Sequence, residues 1–385
     1  MKKILQDLSL AELSREIESL GEKKFRAAQV FGGLLAGKTV EDLPAVPKAL
    51  KEKLLQSYEN APLAAEKTFY SSDGTEKYLF RLSDGNVIEG VLMKYKYGYT
   101  QCVSTQAGCR MGCKFCASTL GGLIRNLTPG EILSQILLVN ALHKNDADLP
   151  GEGKEKRAVT NVVLMGSGEP LDNYDNVIKF LRLLTAAEGL NVSARNISLS
   201  TCGLVPKMYR LADEGIPLNL TVSLHATEDS ERQKIMPAAK AYKIADILKA
   251  CANYFNKTGR RYYFEYTLID GENCDETHAA ALSALLKGKP CHVNLIRLNE
   301  VKERSLKATS DKNAYRFMGI LQKNGVSATL RRQIGADIGG ACGQLRAAYV
   351  AEESKSAAYV AEESKSAAYV TEENKSAAQN GDERE

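Results

Sequence analysis

The sequence predicts an α/β chain built on a partial barrel of parallel strands, and three observations carry that prediction. From Gln101 onward, seven apolar strand-like runs alternate with six stretches of helical periodicity, the pattern of strand–helix–strand crossovers that puts helices outside a parallel sheet. A loop with three cysteines follows the first of those strands, and in such barrels the chemistry gathers at the C-terminal strand ends. Ahead of the series lie a stretch of helical periodicity and then a stretch of alternating apolar and polar residues. The barrel therefore carries a small N-terminal helical domain and a short β extension.

In chain order, residues 10–20 and 25–35 space their apolar positions as helices do; Ser9 and Asp42 read as helix starters, and Pro44 and Pro47 as punctuation. Residues 65–98 alternate around Ser-Asp-Gly turns at Ser72 and Ser83, a hairpin pattern. Strands are expected at 101–105, 158–165, 196–201, 218–224, 262–268, 292–298 and 327–330. Helices are expected at 129–143, 175–188, 205–214, 244–258, 275–286 and 311–324. This divides the chain into a helical module at 1–60, a β-hairpin extension at 61–97, a barrel core at 98–346 and a tail at 347–385. The tail repeats Ala-Ala-Tyr-Val-Ala-Glu-Glu-Ser-Lys-Ser from Ala347 and Ala357, with a variant from Ala367. Its period of ten matches no familiar solenoid, and it is too polar for a core, so it reads as a solvated appendage.

Composition narrows the class. With 385 residues and 44% apolar content a large core is expected. No apolar run is long enough to span a bilayer, and the first residues lack a signal-peptide core, so a cytoplasmic location with no membrane partner is expected. Nine cysteines, an odd number, suit reduced thiols and a cluster better than a disulfide scaffold. The net charge of +4 hides an asymmetry: the tail carries four basic and nine acidic residues, so the rest carries +9, which is compatible with RNA but does not demand it.

Cys109-Arg-Met-Gly-Cys113-Lys-Phe-Cys116 is the most informative motif. Three thiols in one short loop suit a cubane iron–sulfur cluster with one iron left free for a ligand. A three-cysteine zinc loop with a remote histidine is the rival reading. Downstream, Gly168-Glu169-Pro170 ends a strand in a turn that lets backbone approach a ligand, with a carboxylate to receive an ammonium group. Ser200, Ser223 and His225 close two further strands, and Asn299 a fourth, where a ribose or carboxylate would sit. Cys342, flanked by Ala341 and Gly343 on a loop, has the setting of a nucleophile, and Cys102 on the strand feeding the cysteine loop is placed to face it. Cys202, Cys251, Cys274 and Cys291 read as small apolar residues.

These segments, together with Phe25-Arg-Ala-Ala-Gln-Val-Phe, Ile88-Glu89-Gly, Val293-Asn-Leu-Ile and Ala341-Cys342-Gly-Gln-Leu-Arg, resemble the radical S-adenosylmethionine (SAM) RNA methyltransferases that modify adenine carbons. The resemblance runs from about residue 8 to Arg346 and leaves the tail outside. It implies the partial (β/α)6-type radical SAM barrel, a 4Fe-4S cluster on Cys109, Cys113 and Cys116, and SAM contacts from Gly168, Glu169, Ser200, Ser223, Leu224, His225 and Asn299. It further implies that Cys342 takes a methyl group from one SAM, that a deoxyadenosyl radical from a second activates that methyl for attack on adenine, and that Cys102 resolves the adduct and leaves a Cys102–Cys342 disulfide. Glu89 maps onto the proton acceptor. The implied substrates are adenine 2503 of 23S rRNA and adenine 37 of some tRNAs, methylated at carbon 2. The implied partners are a low-potential electron donor such as flavodoxin or ferredoxin and a thiol reductant. Both substrates suggest an extruded base, with Lys23, Lys24, Arg26, Arg331, Arg332 and Arg346 as phosphate contacts. Three positions depart from the family pattern: Ser167 in place of methionine, Arg297 in place of proline, and Gly339-Gly340 in place of an acidic or amide residue plus alanine. The alternatives are carbon-8 methylation, the resistance activity of the same family, and a zinc-bearing RNA-binding module; Ala-Ser-Thr-Leu-Gly-Gly after Cys116 leans toward carbon 2.

Overall fold

Ser9 starts the first long helix: its hydroxyl accepts from the Glu12 amide, and the Glu12 carboxylate reaches back to the Ser9 amide, so two end amides are satisfied reciprocally. The computed structural model describes residues 2–96, 98–146, 149, 157–345 and 347–349. Within it, β1 (Lys3–Ile4), α1 (Leu10–Ser19), α2 (Phe25–Leu35), α3 (Lys48–Ser57) and β2 (Tyr58–Glu59) form an N-terminal module. The module closes over its own core of Leu13, Ile17, Val30, Phe31, Leu50 and Leu54. Asp42 does not start a helix; it accepts from the Thr39 hydroxyl in a turn, and α3 begins only after Pro47, whose fixed φ suits a helix entry. The module docks through Asp7, which accepts from the Gly130 amide at 2.6 Å and so supplements the Thr128–Glu131 capping box of α4 (Pro129–Leu142).

Eleven of the remaining strands form one sheet. β3 (Leu63–Tyr70), β4 (Glu76–Leu82) and β5 (Asn86–Tyr95) make an antiparallel meander. β5 pairs with β6 (Gly98–Cys102), and from β6 the sheet turns parallel. The parallel part continues through β9 (Val159–Leu164), β10 (Ile197–Thr201), β11 (Asn219–Ser223), β12 (Tyr262–Leu268), β13 (Cys291–Arg297) and β14 (Ala328–Leu330). The expected strands and the six expected helices are all present: α4, α5 (Tyr174–Thr185), α6 (Val205–Asp213), α8 (Ile244–Thr258), α9 (Glu276–Leu286) and α10 (Asp311–Lys323). The extension is thus part of the barrel sheet. Val103, Val162, Leu199, Leu220, Phe264, Val293 and the inner faces of these helices bury the main core.

Three features depart from expectation. β7 (Gln106–Gly108) and β8 (Leu123–Asn126) pair antiparallel, so the three-cysteine loop is the arch of a small hairpin. A short helix, α7 (Asp229–Ile235), follows β11. At the other end β15 (Ala347–Tyr349) pairs antiparallel with β5, Ala347 opposite Ile88, so the first residues of the tail join the sheet. Arg346 and the repeats beyond Tyr349 lie outside the described residues.

Candidate active site

Seven parallel strands turn their C-terminal ends toward one cavity of about 920 Å³, its open mouth included. Ten of the residues singled out from sequence line it: Cys109, Cys113, Cys116, Gly168, Glu169, Ser200, Ser223, His225, Asn299 and Cys342.

The cysteine arch is held rigidly. Gly108 has φ +77°, and a Cβ there would sit 2.0 Å from the Gly122 carbonyl oxygen, which also accepts from the Cys109 amide. The Thr119 hydroxyl lies 3.1 and 2.9 Å from the carbonyls of Cys113 and Cys116, and Arg304 donates to that hydroxyl. The Lys114 amide donates to the Ile235 carbonyl of α7. Cys113 packs with Met236, Ile235 and Leu298, and Met111 and Phe115 complete an apolar collar. Burial pushes the Cys109 thiol up to about 12, its neighbour Cys116 adding to the effect; Cys113 and Cys116 rise for the same first reason. Among the described residues no three His, Cys, Asp or Glu side chains gather around a single ion position. An all-sulfur donor set spread around a collar suits a multi-iron cluster better than one ion.

The opposite wall is built by strand ends. Gly168 (φ +106°) leaves no room for a side chain, since a Cβ would fall 2.6 Å from Gln106 Cβ. Both Glu169 oxygens are engaged by backbone amides, Oε1 by Leu171 at 3.0 Å and Oε2 by Cys202 at 2.7 Å, while burial raises its pKa. His225 adopts φ +57°, a left-handed conformation that costs energy outside glycine. Asn273 holds its carbonyl at 2.8 Å. Its Nδ1 accepts from the Thr267 amide, which leaves the hydrogen on Nε2, and burial followed by the charge of Arg232 lowers its pKa to about 3. His225 is therefore a neutral donor, edge-on to Phe115 at 4.7 Å. Leu224 is buried behind the wall, its amide bonded to the Glu265 carbonyl.

Cys342 is exposed on a loop tied from two sides: Asn299 Nδ2 donates to its carbonyl at 3.0 Å, and the Ala117 amide beside the arch donates to the Gly343 carbonyl at 2.7 Å. Gly339 has φ +60°, a conformation that acidic and amide residues tolerate better than other side chains, so glycine meets the same demand there. Cys102 ends β6 just off the cavity wall. Burial, then the charge of Cys342, pushes its thiol up to about 12, while Arg331 acts in the opposite sense. Glu89 does not line the cavity: its carboxylate is buried in the extension 3.6 Å from Lys77 Nζ, and its carbonyl accepts from Ser104. Ser167 is wholly buried and Arg297 pairs with Asp311, so neither departure opens the site.

Arg232 and Glu265 belong to no sequence motif, and Arg331, expected as a phosphate contact, joins them at the site. Arg232 of α7 is fully buried and donates to the carbonyls of Leu224, Cys202 and Ser223, fastening the ends of β10 and β11. Glu265, buried on β12, faces the cavity with Oε2 unpaired. Its Oε1 lies 3.4 Å from Arg331 Nη1, and Arg331 stands beside Cys342 on the cavity wall. A charged residue inside an otherwise apolar strand was the available signal for Glu265.

Comparison with known proteins agrees with this geometry. The radical SAM superfamily profile matches residues 103–283. A probable dual-specificity RNA methyltransferase RlmN of Lachnoclostridium phytofermentans is 49% identical over 348 residues, 90% of this chain and 94% of the relative. The protein of the same name from Clostridium botulinum is 50% identical over 352 residues, 91% and 98% of the two chains. The crystal structure of a radical SAM methyltransferase from Sphaerobacter thermophilus superposes with a TM-score of 0.84 at 40% identity, covering 89% of this chain and 99% of that one.

Proposed function

The chain belongs to the RlmN family of dual-specificity RNA methyltransferases, and from that premise we propose that it methylates carbon 2 of adenine 2503 in 23S rRNA and of adenine 37 in some tRNAs, through a methyl group carried on Cys342. One observation carries the reading: an exposed cysteine on a tied glycine-bounded loop lines the same cavity as the three-thiol arch, with Cys102 behind it.

Cys109, Cys113 and Cys116 would hold the 4Fe-4S cluster, and the strand-end wall would hold SAM beside it. When bound, the two supply the one-electron chemistry that turns a sulfur-bound methyl into a carbon radical. The wall residues bind and orient. Gly168 admits the ligand to the backbone, Ser200 and Ser223 offer hydroxyls, the strand ends at Glu169 and Leu224 offer peptide groups, and neutral His225 donates from Nε2. Asn299 fixes the Cys342 loop as well as facing the cavity. The Cys342 sulfur displaces the methyl from the sulfonium, forming one S–C bond as another breaks. Once the carbon has joined the base and the adduct has given up one electron and the ring proton, the Cys102 thiolate attacks the Cys342 sulfur; the Cys342 S–C bond breaks, its electron pair passes to the former methyl carbon, which takes up a proton, and a disulfide is left for a thiol reductant. Glu89 is the proton acceptor in this reading, carried by the resemblance alone, since its carboxylate is buried off the cavity wall 3.6 Å from Lys77 Nζ. The electron donor is of flavodoxin or ferredoxin type, and the RNA substrates imply a cytoplasmic setting. Among the described residues no helix is long and apolar enough to cross a membrane.

The test is mass spectrometry of nucleosides from rRNA and tRNA after anaerobic incubation with reconstituted protein, SAM and a one-electron reductant. 2-Methyladenosine is expected. 8-Methyladenosine would overturn the carbon assignment, and SAM cleavage without any methylated adenine would overturn the substrate. A Cys342→Ala variant with full methyl transfer would refute the covalent route.

A further inference from the structure

Each thiol of the arch has one guanidinium near it: Arg110 by Cys109, Arg232 by Cys113 and Arg304 by Cys116. The three are not equivalent. Arg110 is exposed, and its Nε and Nη2 are both held by the Asp172 carboxylate, so water and its partner screen its field. Arg232 is buried, but its donors go to three strand-end carbonyls, so it serves the wall.

Arg304 is committed to the arch itself. It lies on the loop between β13 and α10, where its amide closes a turn on the Val301 carbonyl at 2.8 Å. Leu306 and Ala308 of the same loop pack against the apolar collar around Cys113. The Arg304 side chain is half-buried, and Nη2 donates to the Thr119 hydroxyl at 3.0 Å, the hydroxyl that also reaches the Cys113 and Cys116 carbonyls. Its Nε is buried without a partner, and no carboxylate pairs with the guanidinium among the described residues. Burial pushes the Cys116 thiol up, and the Arg304 charge acts in the opposite sense.

A half-buried cation without a counter-ion is expensive unless something negative meets it. The acids around the arch are engaged elsewhere: Glu169 accepts from the Leu171 and Cys202 amides, and Asp172 from Arg110 and Gln106. The thiolates that a metal cluster requires supply the missing charge. A 4Fe-4S cluster on three thiolates is net negative, and taking up one electron from a donor makes it more negative by one unit. A cation fixed at its edge, inside an apolar collar of low dielectric, stabilises the reduced form more than the oxidised one and raises the potential.

We propose that Arg304 is a positioning residue that sets the reduction potential of the arch: its charge faces the Cys116 sulfur, and its bond to Thr119 fixes where that charge stands. The inference rests on the cluster reading above and adds what brings the cluster within reach of its electron donor.

The experiment is a redox titration of the reconstituted full chain followed by electron paramagnetic resonance, which reads only iron-loaded molecules. Arg304→Gln keeps a donor for Thr119 and removes the charge. It should move the one-electron equilibrium about tenfold toward the oxidised form, a midpoint about 59 mV more negative. Arg304→Lys keeps the charge and should stay within threefold of the parent equilibrium. An unchanged midpoint in Arg304→Gln would overturn the inference, and so would Arg304→Lys shifted as far as Arg304→Gln. If Arg304→Gln takes up no iron, Arg304→Lys alone decides: the parent midpoint supports the charge, and a tenfold shift overturns it. Loss of iron uptake from both variants would make Arg304 a scaffold for the arch and overturn the inference as well. A parent protein that takes up no iron would instead strike the cluster reading.

Discussion

Replacing Arg232 tests whether the strand-end wall is assembled by one buried guanidinium. Its Nε donates to Leu224 O at 3.0 Å, and Nη2 donates to Cys202 O at 2.7 Å and Ser223 O at 2.8 Å. The residue is 0% exposed, and Nη1 has no partner among the described residues. Burial lowers the Arg232 pKa, and the nearby thiols Cys202 and Cys113 act in the opposite sense. Arg232→Met keeps the approximate volume and removes every donor. Three buried carbonyls are then orphaned at about 1–3 kcal/mol each. Relief of the buried charge offsets several kcal/mol of that loss, so the expected destabilisation is about 3 kcal/mol. Arg232→Lys should fall between, because an ammonium cannot span three acceptors as the planar fork does. The assay is urea unfolding followed by far-UV circular dichroism on cluster-free protein, which keeps iron loss out of the transition. Iron content after reconstitution should fall in parallel, because α7 also holds the arch through Ile235 O. Arg232→Met with stability within about 1 kcal/mol of the parent and full iron content would refute the reasoning.

Other changes follow from particular contacts. Gly168→Ala combines φ +106° with a 2.6 Å approach to Gln106 Cβ, so it should cost about 1–3 kcal/mol of stability and weaken SAM binding measured by equilibrium dialysis on the cluster-loaded protein. Iodoacetamide at pH 8 should label exposed Cys342 and spare Cys102, whose thiol burial has pushed to about 12, as peptide mass spectrometry will show; labelling of Cys102 at a comparable rate would refute its burial. The Glu76–Tyr78–His143 network should make stability depend on pH in two directions. Burial pushes Glu76 up, but hydrogen bonds from His143, Lys94 and Tyr78 outweigh it and hold the carboxyl at about 2, so its contribution is present above pH 4.5 and lost as pH falls toward 2. His143 is raised above 6.5, first by its hydrogen bond to Glu76, so its contribution is complete below pH 6.5 and lost as pH rises through the raised value. The loss of urea stability in Glu76→Gln should accordingly be greatest between about pH 4.5 and 6.5; a difference that keeps growing above pH 7 would refute the assignment.

The barrel strands and helices were legible because each carries its signal locally. Thr128 and Glu131 announce α4, and the aromatic and apolar run from Tyr262 to Leu268 in β12 is long enough to show itself. β7 and β8 were not legible, since strands of three and four residues hold too few positions for alternation to register. α7, rich in Asp, Glu, Arg and Lys, reads as a solvated surface segment until Arg232 is seen turned inward onto three carbonyls. The tail defeated local reading in another way: nothing in Ala347-Ala-Tyr349 distinguishes it from the repeats that follow, and only the open side of β5 selects it as a strand.

The site divides along the same line. Cysteine spacing marked the arch, and glycines marked the turns, because those constraints act over a few residues. Apart from Cys102 and Cys342, partnerships between distant segments left no trace: Glu265 and Arg331 are 66 positions apart, and Ser118 meets the Leu345 carbonyl across 227. That last bond, with the Ala117 amide on Gly343 O, ties the Cys342 loop to the residues immediately after Cys116. The arch and the reactive loop are therefore one mechanical unit. Ordering the arch also sets where the Cys342 backbone lies. A backbone fixed by the Ala117, Ser118 and Asn299 bonds beneath an exposed side chain is what those contacts, made far apart in sequence, provide at Cys342.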